Sequence, residues 1–361
     1  MKIDFNEINY IQNPTYIDLH ADYRQFLLSM TGPTVIDITG VNTDSYRVFI
    51  TLLQGDEPSG LIAFHRWLTT RDEYDLPKTN LRFIICSVET ASKNPLFSKR
   101  FLDGSKDINR CFSQEEYEYY LKNNNLKDQS FGCYQRASLI ENAIREVNPE
   151  MVIDIHNTSS LSPAFSISSL ITTETLTLAS FFCQTLILSD LKLGSLMEKK
   201  FPYPFITIEC GGSKDEQANE AAYAGICRVT QCENLDFIQL EKSIDVIYRP
   251  LRLQINKDTN LTFSDHDEGH SGVTLKNNIE FLNYGGARQD EMIGWIDTKG
   301  LTNVQMLNKD GIDVVDQYFY IRENQLVCRQ NLRIFNATSN QNTAMNDCLF
   351  YIVNTASTNT N

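Results

Sequence analysis

Hydrophobic and polar positions fall into two regimes along the chain. Up to about residue 230, apolar runs rich in β-branched residues alternate with segments whose apolar positions recur at helical spacing. Tyr46 to Leu53 predicts a buried strand, followed by a turn at Gly55. Pro58 then opens a helix, because a fixed φ and a missing N–H suit the first turn. Leu61, Phe64, His65 and Leu68 share one face of that helix. Leu81 to Val88 predicts the next strand. Ala137, Ile140, Ile144 and Val147 predict a helix over Tyr134 to Val147, with Glu141 and Arg145 as an i,i+4 pair. Pro149 ends it. Met151 to Ile155 and Phe165 to Leu170 read as strands, and Thr175 to Leu191 as one long helix. Phe205 to Glu209 reads as a strand running into Gly211 and Gly212, and Asp215 to Val229 as a helix with Ala218, Ala222 and Val229 on one side.

After about residue 235 the texture changes. Short alternating runs (Asp245 to Leu253, Gly272 to Leu275, Tyr318 to Ile321) are separated by turn-forming Asn, Asp and Gly, which predicts a small β-rich domain. The expected organisation is an α/β domain over residues 1–235, a β-rich domain over 236–354, and a frayed Thr/Asn-rich tail over 355–361. A length of 361 residues suits one large domain plus a smaller one.

Composition narrows the function. An apolar share of 42% supports a sizeable core and excludes disorder for most of the chain. Lys and Arg number 32 against 46 Asp and Glu, a net charge of −14 that argues against nucleic acid or an anionic membrane as a partner. A small anion remains compatible, since a local cationic pocket can sit in an acidic protein. The N-terminus lacks the pattern of a signal peptide, and no run reaches the roughly 18–20 apolar residues of a membrane span. Nine scattered cysteines without a C-x-x-C pair fit reduced, mostly buried thiols, so the expected location is cytoplasmic.

Three polar motifs stand where predicted strands end, the usual place for ligands in open α/β sheets. They are Gln54-Gly55-Asp56-Glu57-Pro58-Ser59-Gly60, Asp154-Ile155-His156-Asn157-Thr158 and Thr207-Ile208-Glu209-Cys210-Gly211-Gly212. A fourth polar segment runs from Arg100 to Arg110 and ends in Asp107-Ile108-Asn109-Arg110.

In these motifs, over roughly residues 45–230, the chain resembles the succinylglutamate desuccinylase/aspartoacylase family of the zinc carboxypeptidase-like fold. That family carries His-Gly-(Asn/Asp)-Glu-x-x-Gly, Asp-(Leu/Met)-Asn-Arg, Asp-(Leu/Ile)-His and a strand ending in Glu, in the same order. The resemblance implies a mixed sheet flanked by helices, followed by a smaller β-rich C-terminal domain. It implies Zn2+ held by positions 54, 57 and 156, Glu209 as general base and acid, and Asn109 with Arg110 gripping a substrate carboxylate through parallel charge-assisted hydrogen bonds. Arg100 corresponds to the arginine that steadies the oxyanion, with an insertion around Gly104-Ser105. Asn157 and Thr158 match residues that shape the substrate pocket.

One position departs from the pattern. Where the family has His, this chain has Gln54, whose amide offers a metal only a neutral carbonyl oxygen. Three outcomes are open: Gln54 ligates weakly, a neighbour such as Asp56 substitutes, or no metal is held. An oxygen-rich set favours a harder cation than zinc. His65 lies too far along its helix to replace the missing ligand. Asp265-His266-Asp267-Glu268-Gly269-His270 holds several potential ligands but reads as an exposed acidic turn, and Cys210 as a small core residue.

The leading expectation is therefore a metal-dependent hydrolase that cleaves an N-acyl amino acid or a related small amide bearing a carboxylate. The alternative is a non-catalytic relative that binds or senses small carboxylates. A peptide-cleaving carboxypeptidase fits the small-substrate motifs less well. Assembly into a homo-oligomer is left open.

Overall fold

A computed structural model describes residues 5–72, 75–122, 129–233, 244–346 and 349–354. The expected domain junction at 235–236 and the expected frayed tail at 355–361 lie outside these residues. The chain forms two compact units: Met1–Asn157 with Ala164–Asp245, and Thr158–Pro163 with Val246–Asn361.

The first unit is built on a mixed sheet. Eight of the sheet's strands are β1 (Asn9–Gln12), β2 (Thr34–Ile38), β3 (Asn42–Thr51), β4 (Thr79–Ile85), β5 (Met151–Thr158), β6 (Phe165–Ser168), β7 (Thr185–Leu188) and β8 (Phe205–Gly212). They stand in the order β1-β2-β4-β3-β5-β8-β6-β7. β3 lies parallel to both β4 and β5, whereas β2 runs antiparallel to β4 and β6 antiparallel to β8. Helices α1 (Tyr23–Ser29), α2 (Ser59–Thr70), α3 (Val88–Ala91), α4 (Gln114–Lys122), α5 (Gln129–Arg145), α6 (Thr173–Ser180) and α7 (Glu216–Gln231) connect and flank the strands.

The central strands are buried on both faces, so they read as continuous apolar runs rather than alternating ones. Alternation still decides which side each residue serves. Phe49 and Phe83 face a cluster completed by Leu61, Phe64 and Leu68 of α2 and Ala218, Ala222 and Val229 of α7. Val48, Ile50 and Val152 face the opposite cluster, completed by Ala137, Ile140 and Ile144 of α5. Phe64 stacks on Phe83 at 3.5 Å between ring centroids, which fixes α2 against the sheet.

The expected single helix over Thr175 to Leu191 is not formed. The helix stops at Ser180, and Thr185–Leu188 is instead β7, parallel to β6. The apolar residues of this stretch suit either period. The β-branched Thr185 and Ile187, next to an open edge at β6, favour extension. Other predicted elements recur with shifted ends; α5 begins at Gln129 and β6 ends at Ser168.

The second unit is β-rich. One sheet holds Val304–Gln305, Leu251–Ile255, Phe350–Asn354 and Leu332–Phe335; the other holds Leu261–Phe263, Val273–Leu275, Met292–Ile296, Gln325–Cys328 and Phe319–Arg322. Leu253, Leu275, Phe319, Leu326 and Phe350 are buried in its core. The short segment Thr158–Pro163 is fastened into this unit by Asn283, whose Nδ2 donates to Leu161 O at 3.0 Å and Ala337 O at 2.9 Å.

Candidate active site

The site begins where β3 ends. Leu52 is buried in the left-handed region at φ 55°, unusual for a branched side chain and a form of local strain typical of functional turns. Ser87 holds this turn: its N–H donates to Leu52 O at 2.8 Å and its hydroxyl to Leu53 O at 2.9 Å. Gln54 to Glu57 follow, and Pro58 caps α2. The helix then lies directly on the sheet, because a Cβ on Gly60 would stand 2.3 Å from Thr51 Oγ1.

Glu57 and His156 meet across this turn. His156 Nδ1 bonds Glu57 Oε2 at 2.7 Å, and His156 Nε2 bonds Asp154 Oδ2 at 2.7 Å. Asp154 and His156 reach the same side because they are two residues apart on β5. Glu57 also accepts from Asn157 N at 3.1 Å and from Arg100 Nη1 at 2.8 Å. Burial disfavours the imidazolium, yet Asp154 and Glu57 outweigh it and hold the His156 pKa well above its ordinary value. With a carboxylate at each ring nitrogen, His156 donates in both directions.

Asp107 ties a second group to the first. It accepts from Gln54 Nε2 at 3.0 and 3.2 Å, from Arg100 Nε at 3.0 Å and from Asn109 N at 2.8 Å. Burial pushes its carboxyl up, but Arg100, Arg110 and the Gln54 bond bring it below the usual range. Gln54 thus turns its amide nitrogen to Asp107. Its Oε1 is buried with no hydrogen-bond partner among the described residues, as are Asp56 Oδ1 and Asp154 Oδ1. Burial, then the Glu57 charge, pushes Asp56 up to about 6.

Glu209, on β8 opposite Phe165 of β6, is half-buried. Burial, followed by repulsion from Glu57, outweighs the attraction of His156 and Arg100 and pushes its carboxyl up to about 7. Among the described residues its carboxyl makes no hydrogen bond.

Asn109 and Arg110 lie in a short 3-10 turn, Ile108–Arg110. Asn109 Oδ1 accepts from Leu196 N at 3.0 Å, and Arg110 Nη1 donates to Asn109 O at 2.9 Å. The turn rests on Gly194, which has φ +75°; a Cβ there would stand 2.9 Å from Arg110 O. Asn157 is a clip within the protein: Oδ1 accepts from Ser59 N at 3.0 Å, while Nδ2 donates to Ser59 Oγ at 2.8 Å and Gly211 O at 2.9 Å. Thr158 donates to Ser160 O at 2.6 Å.

Other expected positions stand apart from this network. His65 Nε2 meets Leu19 O at 3.2 Å and His20 O at 3.0 Å, a structural tie. Cys210 is buried, which pushes its thiol well up and leaves it a poor nucleophile. In the 265–270 turn, exposed His270 and Glu268 pair with each other at 2.8 Å. Asp107 and Asp154 were not singled out from the sequence. Both had a signal: Asp107 opens the Asp-x-Asn-Arg motif, and Asp154 precedes His156 by the two residues that place strand side chains on one face.

For a metal, positions 54, 57 and 156 offer one amide oxygen, one carboxylate and one imidazole. Among the described residues no cluster of three or more His, Cys, Asp or Glu side chains is arranged around a common centre. Among the described residues, Gln54, Asp56 and Asp154, which belong to the same two motifs as Glu57 and His156, nevertheless each keep a buried oxygen without a donor. Such lone pairs suit a divalent cation, and the oxygen-rich set suits a hard one.

Residues 53–224 match the model of the succinylglutamate desuccinylase/aspartoacylase catalytic domain. No curated protein matches the chain by sequence. Among solved structures, the chain is similar to a succinylglutamate desuccinylase from Vibrio parahaemolyticus, at TM-score 0.55 and 11% identity over 92% of this chain and 94% of that one. It is also similar to a succinylglutamate desuccinylase/aspartoacylase from Rhodobacter sphaeroides, at TM-score 0.50 and 14% identity over 83% of this chain and 81% of that one. At these identities the likeness speaks for the fold.

Proposed function

Because the chain belongs, through residues 53–224, to the succinylglutamate desuccinylase/aspartoacylase family, we propose that it hydrolyses the amide bond of an N-acyl amino acid or a similarly small amide bearing a carboxylate. The observation that carries this reading is Glu209, a half-buried carboxyl with no hydrogen bond among the described residues, poised near neutrality in the field of His156, Glu57 and Arg100. A group balanced between its two forms at working pH both accepts and returns a proton.

Glu209 takes a proton from the attacking water and delivers it to the nitrogen of the departing amine. Arg100, braced by Glu57 and Asp107, brings positive charge towards the oxygen on which charge develops. Arg110 grips the substrate carboxylate, with Asn109 fixing the turn that presents it. Asp154 holds the His156 ring in one orientation. Glu57, the Gln54 carbonyl and His156, once it gives up its Nδ1 proton, would hold a divalent cation, which when bound would lower the pKa of water and polarise the scissile carbonyl.

The test is purified protein loaded in turn with zinc, manganese and magnesium and offered N-acetyl and N-succinyl amino acids. Turnover abolished by a chelator supports the proposal; no turnover with any metal, from protein shown to be folded, overturns it. A second reading, a carboxylate-binding relative without catalysis, draws on the direct Glu57–His156 bond and the Gln54 amide turned to Asp107. It requires carboxylate binding that is independent of metal and lost in Arg110→Ala. Stoichiometric metal in the unmodified protein by elemental analysis speaks against it.

A further inference from the structure

Asn157 joins the ends of neighbouring strands. It is next to last on β5, which stands between β3 and β8 in the sheet. Its backbone N–H donates to Glu57 Oε2, the same oxygen that His156 Nδ1 meets. Its side chain reaches the two flanking elements. Oδ1 accepts from Ser59 N at the start of α2, the helix that follows β3, and Nδ2 donates to Gly211 O, two residues beyond Glu209 on β8.

These partners fix the amide. Gly211 O can only accept and Ser59 N–H can only donate, so the nitrogen and oxygen of Asn157 have one arrangement. The second Nδ2 hydrogen goes to Ser59 Oγ at 2.8 Å, and that hydroxyl donates in turn to Asn219 Oδ1 of α7 at 2.7 Å. Both amide hydrogens are thus engaged within the protein, on a residue only 4% exposed. A substrate carboxylate requires donors, and this side chain has none left to offer. The helix also depends on it. Pro58, at the N-cap of α2, makes no side-chain bond, so Asn157 Oδ1 caps the helix from a different strand.

We propose that Asn157 is a positioning residue, which makes no contact with substrate and holds Glu57 and the first turn of α2 in fixed relation to the strand that carries Glu209.

The kinetic consequence rests on the hydrolysis proposed above; the clip itself does not. Proton transfer to Glu209 depends on where the attacking water stands, and small misplacements of reacting groups slow chemistry steeply. The carboxylate grip, by contrast, sits on the separate turn Ile108–Arg110. Loosening Asn157 therefore slows the bound substrate without weakening its binding.

The experiment assays full-length Asn157→Ala and Ser59→Ala on the N-acyl amino acid that the parent turns over fastest, and melts both variants and the double variant by calorimetry. In Asn157→Ala, kcat should fall about 10- to 100-fold while KM stays within about twofold of the parent. Ser59→Ala should show the same split with a smaller fall. A KM raised about tenfold or more with kcat retained marks a substrate contact and overturns the proposal, as does an unchanged kcat in folded Asn157→Ala. Should that variant fail to fold, Asn157→Asp, which keeps the acceptor for Ser59 N and loses both donors, carries the same expectations. The double variant should lose less melting temperature than the two single losses added together, because both remove one shared bond; full additivity overturns the clip. A parent without turnover refutes the hydrolysis, and the melting comparison then decides the clip by itself.

Discussion

At the level of single residues, Glu209 and Gln54 set the sharpest expectations. Glu209→Gln should lower the rate of amide hydrolysis by about 10²- to 10⁴-fold with little change in KM, as measured by steady-state kinetics. The proposed hydrolysis by the unmodified protein should speed up as pH passes through about 7, because the first proton transfer needs ionised Glu209. Stability should move the other way. Between the ordinary glutamate pKa and about 7, folded Glu209 retains a proton that the unfolded chain releases, so its contribution favours folding at low pH and is lost as pH rises. Urea midpoints at pH 5 and pH 7.5 should therefore differ less in Glu209→Gln than in the parent. Gln54→His replaces a neutral oxygen donor by imidazole and should raise zinc affinity, read by isothermal titration. The meeting of Glu57 and His156 was legible because their motifs are short and local: Glu57 lies in the turn after one predicted strand and His156 directly after another. Asp107 and Asp154 were less legible because their parts depend on which partners the fold delivers. Nothing in the sequence says that the amide of Gln54 turns to Asp107, 53 residues away.

At the level of elements, α2 links core to chemistry. Its buried face carries Phe64, stacked on Phe83, and its first turn carries Ser59 and Gly60 against the sheet. Phe64→Ala should cost about 3–5 kcal/mol in denaturant unfolding, the range for a large aromatic removed from a packed core. Most strands and helices could be read from period alone, since β3, β4 and β5 are uninterrupted apolar runs and α7 keeps a one-sided small-residue stripe. The stretch from Thr175 to Leu191 could not. It carries Leu, Ile and Phe at both periods, and only the parallel partner at β6 decides that its second half extends. Pairing between strands distant in sequence is the information that local periodicity lacks.

For the molecule as a whole, net charge −14 forecasts weak affinity for polyanions. No described helix is long and apolar enough to cross a membrane. A cation that binds only the folded form should raise the melting temperature with concentration, by an amount that corresponds to about 2.7 kcal/mol at one hundred times Kd. Differential scanning calorimetry against manganese or magnesium, with and without chelator, measures it. Composition and texture foretold a β-rich remainder, but they gave no hint that Thr158–Pro163 belongs to it. That detour shapes how the gene can be edited. The backbone leaves the first unit one residue after Asn157, visits the second for six residues and returns, so no single cut separates the two. A truncation before Val246 would strip Asn283 and Ala337 from Ser160 and Leu161, only a few positions downstream of His156. The first unit is thus not a module that recombination can lift out by itself; grafting it onto another scaffold would require redesigning that hexapeptide as well.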